Sequence, residues 1–523
     1  MKKGFTLIEL LAVIVILAII LVISIPQINK VINNSKTSSY NNQIEIIKNA
    51  TDLYKTKYID EILNINSMSV NTNTLIEKGL LKNLINPITN KEFENGLNIN
   101  INTINGNTEY EVYESPELVD GLIPVYYDEN NMVWKKADKN NVNNNWYDYA
   151  NKIWANAVTV SNTNRNTYIN ASIGTVISMS DINTMWVWIP RYSYKIPPGS
   201  TEREIDITFE TKYVDKNNGD AVNAYYTHPA FTFGDKELSG IWVGKFETTG
   251  SASNPTILPN LFSFHETTPK TAFESIKNNM QNNTTTYGFT NDGDIHMMKN
   301  TEWGAVAYLS HSGYGLNSQI YKNNSNGYFT GRSGGNVSGS QIKVDGKEYI
   351  SGGFYTYDGK CAITLTTVPG IDPNCTSIGN VISNKNLSYK ASTSGTIYGI
   401  YDMAGGSWDF VMGMYMPNPI PLTGIIDYSG YSSSTTNSQY NLLNLNNKYY
   451  DRYLSSLKLE SYIKGDATYE TNNWYSSLSS MATATQNWLI RGSHASNSNV
   501  GIFSYYPVEA NYTGASFHIV ISP

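Results

Sequence analysis

The chain of 523 residues has little cysteine, little histidine and little charge. Its two cysteines exclude a scaffold held by many disulfides and a zinc-cluster protein. Charged residues make up 15% of the chain, against about 25% in ordinary soluble domains. The net charge of −7 excludes a basic nucleic-acid binder, so we expect no nucleic-acid partner. Aromatic residues, at 12%, are plentiful enough to fill large packed cores.

The longest hydrophobic run lies at the N-terminus. Phe5–Ile25 contains only three polar residues, Thr6, Glu9 and Ser24. As a helix it would span about 30 Å, one hydrocarbon core of a membrane. No small-residue cleavage site follows the run, which argues against a secretory signal peptide. A plain membrane anchor explains the length but not Glu9, because a carboxylate inside an apolar segment is costly and needs a partner.

The residues from Gly4 to Glu9, GFTLIE, resemble the class III leader of type IV prepilins and pseudopilins. The resemblance implies that a prepilin peptidase cuts between Gly4 and Phe5 and methylates the new amino group of Phe5. It also implies that Glu9 pairs with that amine on a neighbouring subunit, so that both charges are neutralised in the filament core. Pro26 falls where such helices bend or melt during assembly. Other pilin subunits, the prepilin peptidase and the membrane are therefore the expected partners.

The pattern along the chain predicts an α+β protein in five segments. They are a leader (1–4), a pilin helix (5–58, transmembrane over 5–25), a small pilin head (59–114), an aromatic-rich connector (115–184) and a large domain (185–523). Within the head, the alternating residues Leu97–Asn102 predict a strand. The polar stretch Ser161–Ser180 is expected to be a linker.

Several blocks in the large segment predict individual elements. Trp186–Tyr192 and the alternating Gly240–Glu247 predict strands. Pro269–Met280 predicts a helix that Thr271 could cap. Asn300 is expected to cap a further helix whose first turn contains Glu302, where a carboxylate favours the helix dipole.

Taken in order, these blocks resemble the formylglycine-generating enzyme (sulfatase-modifying factor) superfamily, which has an elaborated C-type-lectin-like fold. Thr301-Glu302-Trp303 matches its helix motif, and Gly399–Phe410 matches its G-L-Y-D-M-x-G-N-x-W-E-W block. Arg491–Ser493 and Ser516–Ile519 match its R-G-G-S and G-F-R-V blocks more weakly. The resemblance implies a large domain of mixed short strands and long loops. The positions that carry it are Trp303, Asp402, Met403, Gly405, Trp408, Arg491, Gly492 and Phe517.

The departures from that superfamily bear on chemistry. Its copper-dependent enzymes use a cysteine pair between the last two blocks, and this chain has no cysteine between Arg491 and His518. The related sulfoxide synthases bind iron through three histidines, whereas the six histidines here show no ligand spacing. We therefore expect no catalytic residue, no enzyme activity and no cofactor, with a calcium requirement left open. His296 beside Asp292 and Asp294 is a faint metal pattern, more simply interpreted as exposed loop residues.

The two cysteines, Cys361 and Cys375, lie close together in a loop containing proline and glycine. In an exported domain they most simply form a disulfide. A reactive pair, a metal site or free thiols remain as alternatives.

The segment Ser312–Gln341 is rich in glycine, serine and asparagine and predicts long surface loops. In C-type-lectin-like folds such loops carry the variable binding face. Tyr321 and Tyr328, with Tyr355 and Tyr357 beyond, could stack on sugars or peptides. The alternative is that they are ordinary loop tyrosines.

Three functions remain open at this point. The first is a minor type IV pilin that displays a non-catalytic lectin-like domain, as an adhesin or tip subunit for a glycan or protein ligand. The second is a pseudopilin or structural pilin of a secretion or DNA-uptake system. The third is a surface enzyme, which the missing ligands disfavour. The expected location is the membrane before assembly and the pilus or cell surface afterwards.

Overall fold

The computed structural model describes residues 35–58, 67–93, 96–104, 107–141, 145–196, 204–214, 224–323, 328–331, 342–344, 347–349, 389–415, 446–454, 463–483, 486–497, 501–510 and 512–523. The chain divides into two compact units, Met1–Val112 and Tyr113–Pro523. Among the helices of these described ranges, none has both the length and the apolarity that a membrane span needs. The hydrophobic run at residues 5–25 lies outside them.

The smaller unit packs a helix on a small antiparallel sheet. Its helices are α1 (residues 35–57) and α2 (Thr72–Glu77), and its strands are β1 (Ser67–Asn71), β2 (Ile85–Asn86), β3 (Lys91–Glu92), β4 (Leu97–Ile104) and β5 (Asn107–Glu114), which runs just past the unit's border. The sheet has the order β1-β4-β5. Ile47 of α1 packs in one cluster with Ile99 and Ile101 of β4, so the strand predicted from alternation does form. Asn71 caps α2 and also donates its side-chain amide to Asn98.

The larger unit contains most of the strands. In its described residues these are β6 (Ile123–Asp128), β7 (Val133–Lys136), β8 (Asn156–Val160), β9 (Ile182–Pro190), β10 (Tyr192–Lys195), β11 (Asp206–Phe209), β12 (Tyr226–Thr227), β13 (Thr232–Phe233), β14 (Lys236–Glu237), β15 (Gly240–Gly244), β16 (Thr249–Ser251), β17 (Asn254–Thr256), β18 (Asp294–Met297), β19 (Ile342–Val344), β20 (Lys347–Tyr349), β21 (Trp408–Tyr415), β22 (Asp451–Tyr453), β23 (Trp488–Arg491), β24 (Tyr505–Val508), β25 (Ala515–Ser516) and β26 (Ile519–Ser522). Its α-helices are α3 (Asn162–Asn170), α4 (Pro269–Asn279) and α5 (Asn300–Ser310). Many short strands and few helices make the described chain an α+β protein.

The main sheet of this unit has seven strands in the described residues, in the order β18-β26-β15-β9-β8-β6-β7. Its middle strand β9 is apolar along most of its length, and Trp186, Trp188 and their neighbours are fully buried. Gly240 on β15 makes this packing feasible, because a Cβ there would lie 2.4 Å from the Trp188 ring. Residues 115–184, expected as a connector, supply three strands of this sheet.

A second sheet pairs β22, β21, β23 and β24 in that order, with β25 also on β21. The β21–β22 and β21–β25 pairs are parallel, and β21 pairs antiparallel with β23. Helix α5 contacts both β21 and β9, and all of its residues are buried. This sheet and α5 position the motif blocks found in the sequence.

Three local predictions differ from the structure. Thr268, not Thr271, caps α4, because its hydroxyl accepts the backbone N–H of Thr271 at 3.2 Å. Asn300 is the first residue of α5 rather than its cap, and the Glu302 carboxylate accepts the N–H of Lys299 at 2.7 Å.

The third difference concerns the stretch Ser161–Ser180, which contains helix α3 and not only a linker. Arg165 anchors this helix through a buried guanidinium that donates to the carbonyls of Thr284 and Thr286 at 2.7 Å each. A segment made mainly of Asn and Thr has weak helix propensity. The hydrogen bonds of Arg165 to distant carbonyls therefore stabilise a helix that the local sequence does not favour.

Candidate functional site

The motif residues of the sequence converge inside the larger unit, and all eight of them are buried. Trp303 on α5 donates its indole N–H to the Ile502 carbonyl at 2.7 Å. The Arg491 guanidinium lies 5.6 Å from the centre of the Trp303 ring. A Cβ on Gly492 would come within 3.3 Å of that ring and of the Met403 carbonyl, so the three segments pack tightly.

Asp402 links two loops to the start of the second sheet. Its carboxylate accepts the N–H of Gly331 at 2.8 Å and the side-chain amide of Asn323 at 2.9 Å. Gly405 has a φ of +77°, and a Cβ there would lie 2.3 Å from the Asn323 carbonyl. Glycine is therefore required at 405 on both conformational and steric grounds.

Arg491 holds backbone carbonyls rather than a carboxylate. Its guanidinium donates to the carbonyls of Ala467 at 3.0 Å and Ile502 at 3.3 Å, and to the Asn300 side chain at 3.2 Å. Burial lowers its pKa to about 10. Such bonding fixes the second sheet against α5 and leaves this arginine enclosed.

Three carboxyl groups, those of Glu247, Asp402 and Asp409, are buried near one another. Burial, followed by the charges of Asp409 and Asp402, raises the pKa of Glu247 well above its ordinary value. Burial raises the pKa of Asp402 to about 6. His518 contacts Asp409 at 3.1 Å and has a raised pKa, because the Asp409 charge outweighs the effect of burial. Burial and the neighbouring carboxylates therefore shift Glu247 and Asp402 toward their neutral forms.

A metal ion needs several ligating side chains arranged around one point. In the described part of the chain, no group of three or more His, Cys, Asp or Glu residues is arranged to hold a metal ion. The calcium requirement left open by the sequence stays untested.

His296 is placed differently from its prediction as an exposed loop residue. It lies on β18 with its side chain fully buried, 3.0 Å from the Glu302 carboxylate. Burial lowers its pKa, but the charges of Glu302 and Asp294 outweigh that effect and raise it overall. Phe233 stacks on its ring at 4.6 Å. His296 is thus an internal ion-pair partner.

A partly exposed group of aromatic and histidine side chains follows the Arg491–Ser493 block. The Tyr328 hydroxyl hydrogen-bonds to His494 Nε2, and the Ser496 hydroxyl lies 2.7 Å from His494 Nδ1. The ring of His265 lies 4.7 Å from that of Tyr328. Both ring nitrogens of His494 are therefore already engaged within the chain.

An open pocket of about 390 Å³ lies on the surface of the larger unit. It is lined by the β13–β14 turn, the segment before β18, Lys448 and the end of β26. Asp294 lies on one side of the pocket. One of its carboxylate oxygens accepts from Lys448 and from the Tyr449 hydroxyl, at 2.8 Å each, and the other accepts from Lys277. Although burial opposes ionisation, His296 and Lys277 hold the pKa of Asp294 well below its usual range.

Several predicted residues lie outside the described part of the chain. They are Gly4, Phe5, Glu9, Pro26, Tyr355, Tyr357, Cys361 and Cys375. Of the two predicted surface tyrosines within it, Tyr328 bonds to His494, and Tyr321 is half-buried with the Lys390 ammonium 5.5 Å from its ring centre. Sequence reasoning missed the pocket, because its walls come from segments more than 200 residues apart.

Comparison with known proteins assigns the N-terminus. Residues 1–25 match the family model of the prokaryotic N-terminal methylation motif. No curated protein matches the chain. The N-terminus is a type IV pilin-type prepilin leader, and this supports a pilin-type or pseudopilin protein that prepilin peptidase processes and that assembles with other pilins. The same motif supports membrane anchoring before assembly and display on the surface afterwards.

Proposed function

We propose that the protein is a minor type IV pilin that displays a non-catalytic, C-type-lectin-like domain as an adhesin or tip subunit. The observation that carries the proposal is the methylation motif at residues 1–25, followed by a large separate unit at Tyr113–Pro523. A subunit with so large an added unit would crowd a packed helical shaft. Low abundance or a terminal position relieves that crowding.

The proposal of a non-catalytic domain starts from the sequence around the Arg491–Ser493 block. The copper enzymes of the resembling superfamily use a cysteine pair between the last two motif blocks, whereas this chain has no cysteine between Arg491 and His518, and the ring nitrogens of His494 in this segment bond to Tyr328 and Ser496. The matched motif residues pack as core. The domain would therefore keep the framework of that superfamily without its redox ligands.

The filament role can be tested with the full chain in its own cells. Glu9→Ala should leave the protein in the membrane fraction yet lower its amount in sheared filaments at least about tenfold, because the Phe5 amine loses its partner, a cost of about 1.4 kcal/mol or more. Thr6→Ala, which removes a polar group from the same segment without a charge, is the matched control and should assemble normally. Normal incorporation of Glu9→Ala would remove the pairing argument.

A pseudopilin is the second candidate, since secretion and DNA-uptake systems use the same leader. In that case the protein would stay in the cell envelope, and both variants would leave the sheared filament fraction unchanged. Loss of secretion or of DNA uptake in a deletion strain would then identify the system.

A further inference from the structure

The pocket of about 390 Å³ contains polar groups with unused hydrogen-bonding capacity. The Ser522 hydroxyl is buried and has no hydrogen-bond partner within the described residues. Ser522 on β26 is paired directly with Asp294 on β18, so both side chains project from the same face of the sheet. A buried hydroxyl without a partner is costly, and a ligand in the pocket would satisfy it.

Two further groups on the wall are free within the described part of the chain. The Asp235 carboxylate and the Asn291 carboxamide make no hydrogen bond or ion pair there. Lys236, next to Asp235 on the turn, bonds only to the Pro523 carbonyl, so two of its three N–H donors are unused.

The other polar side chains of the pocket are already committed. Asp294 binds Lys277, Lys448 and Tyr449, as described above. Asp292 accepts the N–H of Asp120 at 2.6 Å and the Thr290 hydroxyl at 2.8 Å. Hydrogen bonds among these committed residues hold the pocket wall in place. Fewer side chains then have to be ordered when a ligand binds, which lowers the entropic cost of binding.

We propose that this pocket binds a neutral saccharide through Ser522, Asp235, Asn291 and Lys236. Each sugar hydroxyl both donates and accepts a hydrogen bond, and the free groups offer both kinds. Asp235 and Asn291 accept, Lys236 and Asn291 donate, and Ser522 does either. The volume falls at the small end of ligand pockets, which suits one or two sugar rings.

The wall carries charges of both signs, including Asp235 and Asp292 beside Lys236 and Lys448, so it favours neither an anion nor a cation over a neutral ligand. An anion would meet the uncompensated Asp235 carboxylate, and a cation would meet the Lys236 ammonium. A neutral ligand rich in hydroxyl groups avoids both repulsions. The assignment rests on the proposed binding function of the large unit, but not on its place in a filament.

The test uses the full chain in detergent and isothermal titration with defined probes. The neutral probes are glucose, galactose, mannose, N-acetylglucosamine and their disaccharides; the charged probes are N-acetylneuraminic acid and inorganic phosphate. We expect saturable binding of at least one neutral probe and none of either charged probe. Ser522→Ala and Asp235→Asn should each weaken that binding about tenfold.

Matched controls separate binding from folding. Ser275 on α4 is also a buried serine with an unpartnered hydroxyl in the described residues, but it does not line the pocket. Ser275→Ala and the surface change Glu509→Gln should leave the affinity unchanged. Ser522→Ala should unfold at the same or a higher urea concentration than the unchanged protein, because it removes a buried hydroxyl that has no partner in the described residues and leaves no other group unsatisfied.

Binding of no neutral probe, binding of phosphate or N-acetylneuraminic acid in its place, or neutral binding that Ser522→Ala leaves intact would each overturn the assignment. Failure of the filament role would be seen differently, as loss of the protein from sheared filaments while saccharide binding persists. The two proposals can therefore fail independently.

Discussion

At Gly304, in the middle of helix α5, helix propensity favours a larger residue, but close packing leaves no room for one. Replacing a helical glycine by alanine ordinarily stabilises a protein by about 1 kcal/mol. Here an added Cβ would lie 1.8 Å from the Gly465 carbonyl oxygen, where ordinary contact begins at 3.4 Å. The helix and the 465 loop would have to separate by roughly 1.6 Å, the difference of these distances.

Neither partner can move easily. Every residue of α5 is buried, so the helix has no solvent side toward which to shift. Gly465 has a φ of +81° and donates its N–H to the Glu470 carboxylate at 2.7 Å. Overpacking of a filled core costs about 1–3 kcal/mol and occasionally more. Because the approach to the Gly465 carbonyl oxygen is far inside ordinary contact, we expect a cost above the usual range, so that Gly304→Ala lowers the free energy of unfolding of the larger unit by about 3 kcal/mol or more after the propensity gain is subtracted.

The assay is urea unfolding of the full chain followed by tryptophan fluorescence. Gly174→Ala is the control, because its φ is +86° but the nearest atom is 3.8 Å from the added Cβ. It should lose only about 1–2 kcal/mol, the cost of a left-handed backbone at a residue with a side chain. If Gly304→Ala unfolds at the same or a higher urea concentration than the unchanged protein, the close approach of α5 to residue 465 is refuted.

Three further predictions concern other parts of the chain. Gly4→Leu should block cleavage by prepilin peptidase, and the mass of the purified protein shows this; a normally shortened chain would contradict the leader assignment. Lys245→Met should lower the free energy of unfolding of the larger unit, measured in urea, by about 3 kcal/mol. Three buried oxygens, including Asn156 Oδ1, accept hydrogen bonds from Lys245 Nζ at 2.6–3.0 Å and would lose their donor. Asp402 has a pKa of about 6 in the folded protein, above its ordinary value. The free energy of unfolding therefore includes a contribution from Asp402 that is fully present below about pH 4 and is lost as the pH rises through 6, about 3 kcal/mol in all. The free energy of unfolding of Asp402→Asn, measured from pH 4 to 8, should not show this part of the fall in stability. A pH profile identical to that of the unchanged protein would show that Asp402 does not titrate in this range.

The sequence predicted those elements whose signal is local. Strand β4 follows from the alternation of Leu97–Asn102, and helix α4 follows from Pro269 and the apolar period behind it. Strand β9 follows from a short run of tryptophan and branched residues, a composition that favours a buried strand. In each case neighbouring residues along the chain carry the whole pattern.

What the sequence could not predict depends on distant partners. His296 follows two aspartates in a polar stretch, which indicates a surface loop, yet β18 pairs with β26 more than 200 residues later and covers it. Helix α3 depends on Arg165 and on carbonyls about 120 residues away. The pocket requires Ser522, Asp235 and Asn291 to meet, and no spacing along the chain encodes that meeting.

Because the motif residues are buried, they stabilise the fold but do not themselves indicate a function. Trp303, Asp402 and Arg491 are enclosed, and they bond to backbone groups or side chains that are themselves internal. A side chain in that position can hold segments together but cannot reach a ligand. Motifs of this kind can therefore persist in a protein that carries out no chemistry. Function must come from groups that reach solvent, and in the described chain the exposed polar groups of the pocket, those of Asp235, Lys236 and Asn291, meet that requirement, while the N-terminal leader supports display on the surface.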